Sequence, residues 1–234
     1  MDTVAFIFAR GDSKGLPRKN VRDLCGKPLI AWSILHAQSV KRISRVIVST
    51  DSEEIAEISR KYDAEVPFMR PPELATDLSP EWLSWQHALE YLRKIEGKLP
   101  DVMLSLPTTS PLRSQIDIDS GLDLYLKGDA DVVISTTEAH RNPYFNMVKG
   151  NPDGTVGLVC EDEFIISQRQ TAPRVFDMTT VCYVANPQFI LESKSIFEGR
   201  VKAINIPIER AIDIDTLLDF QIAEYLMNKR GETS

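Results

Sequence analysis

"TVAFIFARGDSKGLPRKN", residues 3–20, decides how this chain is read. Its first seven residues are an apolar run with the length and composition of a buried strand. The run gives way at once to a loop with two glycines, Gly11 and Gly15, and four cations, Arg10, Lys14, Arg18 and Lys19. Glycines let a backbone curl tightly and approach a ligand. Backbone N–H groups and cations together suit a polyphosphate. The position also matters, because ligands of open α/β sheets sit beyond the carboxyl ends of the strands. The whole chain is acidic, with 27 Lys+Arg against 34 Asp+Glu. A cationic cluster on that background points to one local anion, and the competing reading is a solvated basic turn. The loop is not GxxxxGK[ST], since Lys14 precedes Gly15 and Leu16 follows, and it is not GxGxxG. In the functional reading Arg10 and Lys14 grip phosphates and Asn20 offers its amide to a base or ribose.

Outward from this loop, strands and helices alternate. Strands are expected at 44–50, 101–106, 130–136, 179–185 and 201–208. Helices are expected at 28–40, 53–62, 79–95, 115–127 and 215–229. In the third of these, Ser79 is the expected cap, Pro80 takes the first position, and Leu83, Ala88, Leu89 and Leu92 share a face. Residues 64–70 read as a short strand or an extended segment. Such alternation predicts a single α/β domain over 1–234, with a mostly parallel sheet covered on both faces. The rhythm breaks at 139–180, too long for an ordinary loop, which predicts a hairpin-bearing insertion with its own task.

Composition narrows the class. Hydrophobic content of 43% and charged content of 26% fit a globular protein. No apolar run nears the ~20 residues that span a bilayer, and the amino-terminal stretch lacks a leader pattern. Three cysteines, Cys25, Cys160 and Cys182, form no CxxC pair, which predicts a reduced, cytoplasmic protein without a zinc site. A net charge of −7 argues against nonspecific nucleic-acid binding.

Three further segments carry chemistry. In "AIDIDTLLD", Asp213 and Asp215 alternate with isoleucines, so in an extended segment both carboxylates face one side. Such a pair suits Mg²⁺, which takes few carboxylates plus phosphate oxygens and water. The competing reading is that Asp215 caps the next helix. Two other DxD pairs, Asp117/Asp119 and Asp129/Asp131, fall in a helix and at the wrong sheet edge. "TSPLR" (109–113) follows a strand and is placed to line the same crevice, or to cap a helix. "RPPELATD" (70–77) offers Arg70 to a nucleotide, with Asp77 as a helix cap. Of the histidines, His140 in the insertion is the one considered for substrate contact. Trp82, Trp85 and Tyr91 read as helix packing groups.

"ARGDSKGLPRKN", "RPPELATD", "TSPLR" and "IDID", in this order and spacing, together with "GKPLIAWSI" and "VIVSTDSEEIA", resemble the acylneuraminate cytidylyltransferase family, the enzymes that make CMP-sialic acid and related CMP-nonulosonic acids. The resemblance covers nearly the whole chain. It implies a Rossmann-like, three-layer nucleotide-diphospho-sugar transferase fold. It also implies a nucleotidyltransferase that moves CMP from CTP to a sugar acid and releases pyrophosphate. By motif position, Arg10, Gly11, Ser13, Lys14, Lys19, Asn20 and Arg70 would hold CTP, and Asp213 and Asp215 would hold Mg²⁺. Thr108, Thr109, His140, Arg169 and Tyr183 would meet the acceptor. Homodimerisation through the 139–180 insertion is part of the same implication. Kdo-type members open differently. Sialic-acid-using members carry Gln before "PTSPLR" and "RPNGAIY" near 177–183, where this chain reads Pro107–Thr108 and "DMTTVCY". A legionaminic- or pseudaminic-type acid is therefore an expected acceptor alongside sialic acid. A Kdo-type synthetase, a metal-dependent glycosyltransferase and a non-catalytic nucleotide-binding module are the rivals.

Overall fold

In a computed structural model, which describes residues 1–160 and 169–232, the opening apolar run becomes β1 (Thr3–Phe8), buried along its whole length. Val4, Phe6 and Phe8 pack on one side of it and Ala5 and Ile7 on the other. That alternation is what the period of a strand requires when both faces are covered. A ribbon of β2 (Asp23–Leu24) and β3 (Lys27–Pro28) leads into α1 (Leu29–Ser39). β4 (Arg45–Ser49) and α2 (Glu53–Lys61) follow, the helix capped where the Ser52 hydroxyl accepts from the Ile55 N–H at 3.4 Å. Then come α3 (Glu81–Glu96), β5 (Val102–Ser105), α4 (Gln115–Tyr125) and β6 (Val132–Glu138). A hairpin of β7 (Val148–Gly150) and β8 (Val156–Leu158) stands apart from the main sheet. The chain returns through β9 (Phe176–Ala185), α5 (Pro187–Glu192), β10 (Val201–Asn205) and α6 (Leu217–Glu232).

The main sheet runs β10-β6-β9-β5-β1-β4. β1 is parallel to β4 and β5, and β10 to β6, whereas β9 is antiparallel to both of its neighbours. Ile34 of α1, Ile55 of α2 and Leu122 of α4 cover one face. Trp85 and Leu89 of α3 and Ile190 of α5 cover the other. A third cluster joins Phe220 of α6 to Leu16, Leu24, Leu29 and Ile214. Each fully buried side chain of this size stabilises by roughly 1.5–3 kcal/mol over an exposed one. The sheet is thereby a stiff platform for the loops at its carboxyl edge.

The three-layer α/β architecture matches the expectation, with local corrections. α3 begins one residue later than "SPEW" suggests: Pro80 is its N-cap, and the Ser79 hydroxyl is buried without a partner. Leu83 is 42% exposed, because Trp82 and Trp85 take the inward face with Ala88, Leu89 and Leu92. Residues 64–70 form no strand of the sheet; isolated bridges join Glu65 to Ile47 of β4 and Met69 to Thr50 just after it. β9 starts at Phe176, so the end of the 139–180 stretch belongs to the main sheet. Among the described residues, no helix is long and apolar enough to cross a membrane.

Candidate active site

Two cavities, of about 540 and 470 Å³, adjoin beyond the carboxyl ends of β1 and β5. They share Phe8, Glu81, Thr108, Thr109 and Asp215 and so form one cleft. The smaller is lined by Arg10, Lys14, Lys19 and Arg70, the larger by Trp82, Trp85, Tyr183 and Phe197.

The glycine loop is tied down on the basic side. The Gly11 N–H donates to Asp51 Oδ1 at 2.9 Å. The Asn20 amide donates to the Arg10 carbonyl at 2.9 Å, and its oxygen accepts from Thr108 at 2.6 Å. Asn20 is therefore engaged on both ends inside the protein, holding the start of the loop. Gly15 lies against the far end of the chain: a Cβ there would stand 2.2 Å from the Asp215 carbonyl oxygen. Lys19 is buried, and its ammonium donates to the Ile214 carbonyl at 2.5 Å and lies 3.2 Å from Asp215 Oδ1. Arg18 leaves the site in a left-handed conformation (φ 56°) and pairs with Glu54. Arg70 is buried, donates to the Ser49 carbonyl and hydroxyl, and lies 5.8 Å from the Phe8 ring centroid. Burial lowers its pKa, but from a starting point so high that it stays a cation. Ser13 also faces this cavity. Asp77, expected to cap α3, instead bridges Arg10 and Lys14.

Residues 211–215 form no regular element, but the alternation holds. Ile214 is fully buried, its N–H donating to the Thr109 carbonyl at 2.9 Å, and Asp213 and Asp215 both line the larger cavity. Asp215 is not the cap of α6. Thr216 takes that role, its hydroxyl accepting from the Asp219 N–H at 3.3 Å while Asp219 accepts from the Thr216 N–H at 2.8 Å. Asp213 Oδ1 is buried with no hydrogen-bond partner. Burial pushes this carboxyl up, the Asp215 charge adds to the rise, and the Thr109 and Thr180 hydroxyls offset part of it. An unpaired buried carboxylate oxygen beside a second carboxylate is costly without a cation. A hard cation with room for phosphate oxygens and water fits this donor pair. Among the described residues no three or more His, Cys, Asp or Glu side chains gather as a metal site, so a cation on this pair would take the rest of its oxygens from ligand or water. The other DxD pairs are structural: Asp117 is clamped by Arg210, Asp129 pairs with Lys202 and Asp131 with Arg200.

On the larger side, a β-bulge aims Thr180 into the cleft. The register between β6 and β9 slips between Ile134 and Ser135. The Ser135 hydroxyl, accepting from the Cys182 N–H at 3.1 Å, satisfies the displaced backbone. The Thr180 hydroxyl then lies 2.7 Å from Ser110 and 3.1 Å from Thr109. "TSPLR" splits in two. Thr109 lines the cleft, whereas Arg113 is buried behind it, donating to Ser33 at 2.8 Å and to the Pro107 carbonyl. Burial pushes the Tyr183 phenol up. His140 is not brought into the cleft; it borders a separate depression with Asn205 and Ile206. The Arg169 side chain lies outside the described residues. Sequence reasoning passed over Glu81, at the junction of the cavities. Its carboxylate accepts from the Trp85 indole at 2.9 Å, and enclosure by the cleft walls pushes it up, against Trp85 and Arg70. Its position at the first turn of a helix reads as an ordinary N-terminal acid, which hid it.

Comparison with known proteins agrees with this geometry. The profile of the cytidylyltransferase family matches residues 4–228. The chain is 34% identical over 225 residues to a CMP-N,N'-diacetyllegionaminic acid synthase of Campylobacter jejuni, covering 96% of this chain and 94% of that one. It is 28% identical to a pseudaminic acid cytidylyltransferase of Campylobacter jejuni, with both chains covered in full. In fold it is similar to a CMP-2-keto-3-deoxy-manno-octonic acid synthetase complexed with CTP, with a TM-score of 0.69, 17% identity and coverage of 98% of this chain and 100% of that one. With its family profile running almost from end to end, the chain belongs to the cytidylyltransferase family, and it is a nucleotidyltransferase.

Proposed function

We propose that this protein transfers CMP from CTP to the anomeric hydroxyl of a nonulosonic acid, releasing pyrophosphate and giving a CMP-activated sugar. The observation that carries the reading is the two-sided cleft, with cations in one half, aromatic walls in the other, Asp215 where they meet and Asp213 beside it in the aromatic half. CTP lies with its phosphates against Arg10 and Lys14 and its nucleoside toward Arg70. The sugar acid occupies the half walled by Trp82, Trp85 and Tyr183, with Thr108 and Thr109 between the two.

The acceptor hydroxyl attacks the α-phosphorus in line with the departing pyrophosphate. Negative charge spreads over phosphate oxygens, so positioning and electrostatics carry the catalysis. Arg10 and Lys14 stabilise the charge that leaves with pyrophosphate. Lys19 holds the Asp215 carboxylate in place, and Thr109 and Thr180 hold Asp213. Mg²⁺ on Asp213 and Asp215 would neutralise phosphate charge and lower the pKa of the attacking hydroxyl.

The reading extends to a homodimer and to a cytoplasmic enzyme that supplies a surface polysaccharide. Exposed Val148 and Val156 on the β7–β8 hairpin, with exposed Phe176 and Met178 on β9, support the first. Free Cys25, Cys160 and Cys182 support the second. Multi-angle light scattering reads the oligomeric state. The activity is tested by pyrophosphate release from CTP and Mg²⁺ with N,N'-diacetyllegionaminic, pseudaminic, N-acetylneuraminic and Kdo acids. Turnover with one of the first three and not with Kdo is expected; turnover with Kdo alone, or with none, overturns the reading.

A further inference from the structure

The cleft separates its cations unequally. The smaller cavity holds Arg10, Lys14, Lys19 and Arg70, whereas the larger has one cation, Lys194, beside Asp213 and the shared carboxylates Glu81 and Asp215. A sugar acid brings a carboxylate of its own into that larger half, next to its reacting anomeric carbon. With Asp213 and Asp215 taken up by a cation, Glu81 still faces the acceptor's carboxylate, and a positive partner offsets that repulsion.

Lys194 is presented from a fixed backbone. The carbonyl of Ser193 accepts from the Trp82 indole at 2.9 Å and from the Gln86 amide at 3.0 Å, so α3 grips the residue before it. The Lys194 N–H donates to Glu198 Oε2 at 2.8 Å, closing the short turn that carries it. Just beyond, Gly199 packs so closely on Phe189 that a Cβ would come within 2.6 Å of the ring. Among the described residues no carboxylate pairs with the Lys194 ammonium, while the basic residues of the smaller cavity are held: Arg10 and Lys14 by Asp77, Lys19 by Asp215, Arg70 by Ser49. An anchored backbone carrying an uncommitted charge at a pocket suits a ligand anion.

We infer that Lys194 binds the carboxylate of the acceptor and so orients its anomeric hydroxyl, a specificity role that rests on the proposed CMP transfer. A charge-assisted contact of this kind is worth enough to change binding by about tenfold or more. The test is steady-state kinetics of wild type, Lys194→Gln and Lys194→Arg, using whichever of the screened acids wild type accepts, and its methyl ester. Lys194→Gln is expected to raise the acceptor KM by about tenfold or more and to leave the CTP KM within about twofold. Lys194→Arg recovers most of the acceptor KM. Wild type prefers the acid to its ester, and Lys194→Gln loses most of that preference. If Lys194→Gln keeps the wild-type acceptor KM, or keeps the same preference for acid over ester, the assignment is overturned. It is also overturned if both KM values rise together with a fall in Tm, since that marks a residue that merely shapes the turn. If wild type itself releases no pyrophosphate with any acid, the transfer reading falls first and the role of Lys194 falls with it.

Discussion

Asp77 sets one carboxylate oxygen 2.6 Å from the Arg10 guanidinium and the other 2.8 Å from the Lys14 ammonium. Both cations of the glycine loop are thus held by an internal anion. The two cations in turn hold this carboxyl below its usual range, Lys14 contributing most. A triphosphate arriving at the loop must take Asp77's place and tolerate its charge. Asp77→Asn is therefore expected to lower the KM for CTP severalfold. An increase in that KM would mean that Asp77 helps to hold the nucleotide instead.

Asp213 carries a different trade. Its buried Oδ1 lacks a partner within the protein and lies beside a second carboxylate, an arrangement that costs stability without a cation. Asp213→Asn is expected to raise the stability of the metal-free protein by about 1 kcal/mol, equivalent to about 2–4 °C in Tm. The same change is expected to lower Mg²⁺-dependent turnover by about a hundredfold or more. Calorimetry of the chelated protein and a pyrophosphate assay read the two effects. Wild-type turnover at ordinary Mg²⁺ would remove the metal assignment.

Gly15 is where the two ends of the chain touch. A methyl group placed 2.2 Å from the Asp215 carbonyl must push the loop or the carboxylate segment aside. A displacement of about 1 Å in a positioned site costs on the order of a hundredfold in rate. Gly15→Ala is expected to lower kcat by about that factor, with an overpacking cost of about 1–3 kcal/mol seen in urea melts. Normal kcat in the alanine variant would show that the contact is not needed.

His36, on α1, gives the fold an acid sensitivity. Burial, with help from the Arg113 and Arg230 charges, depresses its pKa from 6.5 to about 3. The unfolded chain takes up this proton below 6.5, and the folded chain takes it up only near 3. Stability is therefore present above 6.5 and is lost as pH falls through that interval. The loss reaches at most about 1 kcal/mol for the first pH unit. His36→Leu removes the proton uptake, so the gap between its urea midpoint and that of wild type should change between pH 7 and pH 5.5. A gap independent of pH would rule out His36 as a source.

Most of the sheet was readable from local pattern, because strands such as Thr3–Phe8 are continuous apolar runs and helices such as Glu53–Lys61 begin with a short oxygen side chain. The carboxylate pair was readable too, since an isoleucine on each alternate position announces which side is buried. What escaped depends on distant neighbours. β9 runs antiparallel because the chain returns between β5 and β6, and no local periodicity carries direction. Trp82 and Trp85 are core residues and cleft walls at once, and helical spacing reports only the first. Asp77 and Glu81 sit where helix-terminal acids are commonplace, so their partners Arg10, Lys14 and Trp85 were visible only in three dimensions. "TSPLR" reads as a crevice lining or a helix cap, and local pattern does not tell that Arg113 within it turns inward to hold the Pro107 carbonyl.

The register of β6 and β9 sets Glu138 directly opposite Phe176. Everything between those two residues is a detour whose ends are already fastened together. Lengthening such a detour costs little, about 0.6 kcal/mol per doubling of its length. Its substitution leaves β1, β5 and the glycine loop untouched. The molecule is in this sense modular: a sheet that carries the cleft, with a separate segment fastened to it at the Glu138–Phe176 pair. None of the cleft walls described above comes from this detour, so changes of its length or sequence fall outside both halves of the site.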